Sequence, residues 1–165
     1  MKNMKNIKLF NNPVEIGVRL LIILVHSKKS LDLQEIIYYD YLTTYFGDVD
    51  SEFSSLHPSN PLHSIEYIVR RRIIKEGLNI MSKKGLIDTE YSEEGIRYKA
   101  SEEAEAFLSY FESNYYKQIT YYANLVSERF NSLSFPELSN YFKEHIGHWK
   151  GEFEKEVLFR GGKNE

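Results

Sequence analysis

The stretch Lys83-Lys84-Gly85-Leu86-Ile87-Asp88-Thr89-Glu90-Tyr91-Ser92-Glu93-Glu94-Gly95-Ile96-Arg97-Tyr98-Lys99-Ala100 decides how this chain is read. Its first three residues stop a helix, because Gly takes the left-handed position past the last turn and lysines suit the negative helix end. Two short runs of β-forming residues follow, joined by a polar turn with Gly95, and this is the pattern of a hairpin. Upstream, Ile65, Ile68, Val69, Ile73, Leu78, Ile80 and Met81 recur at helical spacing behind Ser64, which reads as a cap.

A long helix that ends on K-K-G and runs straight into a hairpin predicts the recognition helix and wing of a winged helix-turn-helix. The expected class is mainly α: a winged-helix core, a small β-hairpin wing and a C-terminal helical extension. Working outward, Asn11-Asn12-Pro13 starts a helix to about Ser27, since Asn accepts free amides of the first turn and Pro is tolerated there. Val14, Ile16, Val18, Leu20, Leu21, Ile22, Leu24 and Val25 leave it little polar face, so it is the expected central core helix. Asp32 with Glu35 has capping-box spacing, and that helix runs through Ile36, Ile37, Tyr39 and Leu42 until Gly47. Downstream, Ser101-Glu102-Glu103 opens a helix whose apolar residues run from Phe107 to Phe130, with a break at Ser113-Asn114. Ser134-Phe135-Pro136-Glu137 is a second capping box, starting a last helix that passes Trp149 towards Leu158. Residues 1–100 are thus expected to form the winged-helix domain with its core helices, and residues 101–165 a helical extension packed on it.

Composition removes much chemistry. A chain of 165 residues has the size of one compact domain, and the absence of cysteine excludes a disulfide scaffold, a thiol nucleophile, an iron–sulfur cluster and a Cys-ligated zinc site. A net charge of −3 is not that of a protein that coats nucleic acid by bulk charge. The N-terminus lacks the apolar region and small-residue cleavage site of a signal peptide, and the most apolar run, Leu20 to Val25, falls far short of a membrane span. A soluble cytoplasmic protein is expected. Gly161-Gly162-Lys163 has no phosphate-loop context, and no base and nucleophile pair stands out. His145 and His148 share a helix side without a third ligand of recognised spacing, while Asp40, Asp48, Asp50 and Glu52 match no calcium loop and read as solvated loop charge. No cofactor or metal is expected, and no catalytic constellation is visible.

What remains points to partners. Arg70, Arg71, Arg72 and Lys75, with Lys83 and Lys84, make the recognition helix the most basic segment, and Arg97 adds a cation on the wing. Residues 60–100 hold eight Lys/Arg against six Asp/Glu, a shallow local excess. These cations fit either a solvated face that pairs with partner carboxylates or contacts to DNA phosphates. Gly47 to Ser64 is too long for an idle connection, and Pro58 and Pro61 stiffen it. Asp48, Phe53, Leu56, His57, Pro58 and Leu62 are its expected assembly residues. Thirteen tyrosines include the adjacent pairs Tyr38-Tyr39, Tyr115-Tyr116 and Tyr121-Tyr122, each expected to point one ring inward and one outward.

Several stretches in order carry a family resemblance: Leu9-Phe10-Asn11-Asn12-Pro13-Val14-Glu15-Ile16-Gly17, Asp32-Leu33-Gln34, Tyr39-Asp40-Tyr41-Leu42, Gly47-Asp48 and Ser55-Leu56-His57-Pro58. Val69-Arg70-Arg71, Gly77-Leu78, Gly85-Leu86-Ile87, Glu94-Gly95-Ile96-Arg97-Tyr98 and Glu128-Arg129-Phe130 continue it. Together they resemble the middle component of ABC-three-component bacterial conflict systems, over about residues 9–130. The resemblance implies a small non-enzymatic winged-helix adaptor between an SMC/Rad50-like ABC ATPase and an effector, a nuclease or other toxic enzyme, as in Lamassu-type anti-phage defence. DNA would then be met mainly through the complex, with no membrane partner. The residues alone also fit a stand-alone winged-helix transcription regulator with Arg70, Arg71, Arg72 and Lys75 on DNA.

The shallow charge excess sets an expected outcome. The isolated chain should bind duplex DNA with a Kd of about 10⁻⁴–10⁻⁶ M at physiological salt, the range of non-specific contact. Titration against unrelated duplexes checks this, and sequence-specific nanomolar binding would favour the regulator.

Overall fold

The structure, a computed structural model, describes residues 12–57 and 63–145, with residues 63–68 described by backbone alone. It is mainly helical with one small antiparallel sheet. Helix α1 (Pro13–Ser27) starts on Asn12, whose side chain accepts the amide of Val14 at 2.8 Å. Ile16 to Leu24 are buried throughout, so α1 is the central helix. Strand β1 (Leu31–Asp32) leads into α2 (Leu33–Thr44), where Asp32 and Glu35 form the full capping box. A 3-10 turn, Phe46–Asp48, follows.

Helix α3 (His63–Lys83) stops at Gly85, whose φ of +72° is the left-handed conformation the sequence requires there. Strands β2 (Ile87–Ser92) and β3 (Gly95–Ala100) make the hairpin. The two-residue β1 adds to its far side, pairing Leu31 with Tyr98 and Asp32 with Arg97, which gives the order β1-β3-β2. Helices α4 (Ala104–Leu108), α5 (Asn114–Phe130) and α6 (Phe135–His145) complete the described chain. Helix α1 packs on α3 and α5, and α5 also packs on α2. Asn131 fastens the end of α5 to the rest: its side chain donates to Ser27 O, its carbonyl accepts from Lys29 Nζ, and its amide oxygen accepts from Tyr39 Oη.

Three details differ from expectation. The break falls at Ser113-Asn114 as expected, with Ser113 capping the new start, but the helix before it is only the short Ala104–Leu108. The strand β1 has too few residues to show a period. Tyr38 and Tyr39 are both buried, since α2 lies between neighbours on both sides: Tyr38 stacks on Phe142 of α6 and Tyr39 reaches Asn131. Of the three tyrosine pairs, only Tyr121-Tyr122 divides clearly into an exposed and a half-buried ring. Pro58, Pro61, Leu62, His148 and the extension past Trp149 lie outside the described residues.

Helices α1 and α3 meet at two glycines. A Cβ on Gly77 would lie 3.0 Å from the backbone nitrogen of Gly17, which has no means of yielding. Gly77→Ala should therefore lower the melting temperature by roughly 2–8 °C, overpacking outweighing the better helix propensity of Ala. A thermal melt followed by circular dichroism checks it.

Candidate functional site

Three helices each contribute one charged residue to a buried cluster. Arg19 of α1 sits mid-helix among Val18, Leu20 and Leu21, and a charge there can stay buried only if it is paired. Its Nε donates to Asp40 Oδ1 at 2.6 Å, and its second nitrogen to Oδ2 at 3.2 Å. Asp40, on α2, is 0% exposed, and its Oδ2 also accepts from Arg70 of α3. Burial pushes the Asp40 carboxyl up, but the two guanidinium groups overcome this and hold it below the usual carboxylate range. The ring faces of Tyr45 and Tyr41 lie 5.2 Å and 5.9 Å from the Arg70 guanidinium carbon, adding cation–π contact.

The loop after α2 is built onto this cluster. Thr44 O, at the end of α2, accepts the amides of Leu56 at 2.9 Å and His57 at 3.2 Å. His57 Nε2 lies 2.8 Å from the hydroxyl of Tyr115, which also bonds Arg19. Burial, then the nearby Arg19 charge, push the His57 pKa down to about 4, so the ring is neutral at pH 7. Further along the loop, Phe53 packs edge-on against Phe46, and the guanidinium of Arg129 lies over both rings while it pairs with Asp50 at 3.0 Å. Tyr122 Oη donates to Ser54 O at 2.7 Å, and the Asp48 carboxylate accepts from Tyr41 Oη. Residues 48–57 are thus an ordered structure between α2 and α5. Their expected companions Pro58 and Leu62 lie outside the described residues.

The row of cations splits in two. Arg70 points inward to Asp40, and Arg71 is half-buried with its Nη1 donating to Gln34 Oε1 at 3.3 Å. Arg97 turns back to Ser30 O at 2.8 Å and Glu35 at 3.1 Å. Arg72, Lys75, Lys83 and Lys84 are exposed. Arg72, Lys75, Asn79 and Lys83 follow helical spacing, so they form one stripe along α3, which Glu76 interrupts. Asp40 is not solvated loop charge; its place at the centre of the ion cluster corrects that expectation.

Residues 9–152 match the family model of the ABC-three component (ABC-3C) system Middle Component 2. The chain belongs to this family. No curated protein and no solved structure matches it. By its family description, a middle component works beside the other parts of a multi-component system. No helix among the described residues of this middle component is long and apolar enough to cross a membrane.

Sequence reasoning missed Arg19 and Tyr115. The signal for Arg19 was present: an arginine inside a helix apolar on every side demands an acid on a neighbouring helix, and Asp40 lies inside another apolar run. Tyr115 had no such signal, because its partners come from two other segments far along the chain.

Two outcomes follow from the cluster. Asp40→Asn strands two buried guanidinium groups and should cost about 3–5 kcal/mol, whereas replacing Arg19, Asp40 and Arg70 together by Met, Leu and Met should cost far less. Urea unfolding of both variants checks the difference. For pH, the unfolded chain protonates His57 near 6.5 while the folded chain resists until about 4, so stability falls as pH drops through that window, by at most about 3 kcal/mol. His57→Gln should flatten the slope of urea midpoint against pH between these limits.

Proposed function

We propose that this middle component is a non-enzymatic adaptor subunit of a Lamassu-type bacterial anti-phage defence complex, bridging an SMC/Rad50-like ABC ATPase and an effector in the cytoplasm. The observation that carries this is its membership of the ABC-3C Middle Component 2 family across residues 9–152. The geometry supports it. A helix clamped at Arg70 by a buried carboxylate presents an exposed basic stripe, and beside it an ordered loop is braced on two helices. The helix order, with α2 and α3 before a hairpin and a third short strand, supports a winged-helix core in which α3 is the recognition helix. Asp40, His57 and Tyr115, ionisable groups of the kind a catalyst draws on, are engaged with one another and with two arginines, which supports a structural role.

The stripe is where an ATPase or its DNA is met. Arg72→Glu, Lys75→Glu and Lys83→Glu together should leave the subunit folded, since exposed substitutions usually cost little. The triple variant should lose either capture of the ATPase in a pull-down or DNA stimulation of ATP hydrolysis by the assembled complex. Loss of capture assigns the stripe to protein, and loss of stimulation alone assigns it to DNA. A folded variant at wild-type level in both assays would show the stripe to be solvated charge.

A further inference from the structure

The hairpin of β2 and β3 has two faces of different chemistry. One carries the pairs Ile87–Ala100, Thr89–Tyr98 and Tyr91–Ile96, and the other Asp88–Lys99 and Glu90–Arg97. The first face is covered only at its root. Ile87 is 3% exposed there, while at the tip Tyr91 is 80% and Ile96 45% exposed. These two residues are directly opposite each other, so they form a single apolar knob that continues the core face into solvent. Strand β2 is also the outer strand of the sheet, and among the described residues nothing pairs with its free edge.

The charge around the knob is acidic. Glu93 and Glu94 make the turn, and Asp88 is exposed further down. Both hairpin cations are already engaged: Lys99 pairs with Glu90 at 3.0 Å, and Arg97 is drawn away to Glu35 and Ser30. Asp88, Glu93 and Glu94 have no ion pair among the described residues. A wing that reads DNA needs the opposite sign near the phosphates. The same carboxylates repel an anionic lipid surface. A large ring and a branched aliphatic side chain, side by side and ringed by carboxylates, match instead a protein groove that is apolar at its floor and basic at its rim.

We propose that the hairpin tip is a docking plug: Tyr91 and Ile96 insert into an apolar groove with a Lys/Arg rim on another protein component of the three-component system. Glu93 and Glu94 meet the rim. The plug rests on the adaptor reading only in requiring such a component. It is separate from the basic stripe of α3, so one subunit carries two contacts of opposite charge.

The test uses the full chain co-expressed with the other components of its system, with dissociation constants measured on the purified proteins. Tyr91→Thr/Ile96→Thr keeps strand-forming residues and removes the knob. Glu93→Lys/Glu94→Lys keeps the knob and reverses the rim charge. Both should melt within a few degrees of wild type, and each should bind the partner at least tenfold more weakly. The charge variant's loss should shrink as salt rises. If wild type assembles and both variants assemble equally well, the plug is wrong while the adaptor reading stands. If wild type binds no other component, both fall. If the tip variants instead abolish self-association of the isolated chain, the occupant is a second copy and the proposal is overturned.

Discussion

One carboxylate, that of Asp40, sets the relative placement of three helices. It stands between Arg19 and Arg70, so α1, α2 and α3 satisfy their buried charges together in a single register. The net stabilisation from such a cluster is modest, because three charges must first leave water. Its weight lies in what it forbids. Sliding or rotating any of the three helices separates a guanidinium from its partner in a low-dielectric interior, which costs far more than the cluster contributes when intact. The near contact of Gly17 with Gly77 works in the same direction, since there the two backbones approach so closely that neither position has room for a Cβ.

Much of the fold was legible because local chemistry and tertiary packing agree. The caps at Asn12 and Asp32, the stop at Gly85 and the turn at Gly95 are each written in side chains that act on their own backbone. The break before Asn114 is of the same kind, with Ser113 capping the new helix. What was not legible depends on distant partners. Strand β1 exists because Tyr98 and Arg97 are there to pair with, and the burial of both Tyr38 and Tyr39 depends on α6 and Asn131. The basic run Arg70-Arg71-Arg72 looked uniform in sequence, yet the 100° step of a helix sends one guanidinium to the core, one to Gln34 and one to solvent.

The exposed charges are sorted by element. Lysines and an arginine lie along α3, carboxylates gather at the hairpin tip, and Gly85 marks the change between them. A continuous groove of one sign, as suits a duplex, is absent among the described residues. A surface that alternates sign over a few turns suits protein partners, where opposite patches fix orientation as well as contact. The cations of the hairpin are already engaged, Arg97 turning back to the start of α2 and Lys99 reaching across the hairpin to Glu90 in an exposed pair.

The loop of residues 48–57 is held by contacts that span long stretches of chain. His57 meets Tyr115, Ser54 meets Tyr122 and Asp50 meets Arg129, at sequence separations of 58, 68 and 79. Closing such intervals costs chain entropy, which these contacts must offset before they stabilise the loop. Its own residues offer only short-range bonds, such as Gly47 N to Ser55 Oγ, until α5 has arrived. The loop and α5 therefore share one stability: whatever loosens α5 from its neighbours also releases the loop it holds.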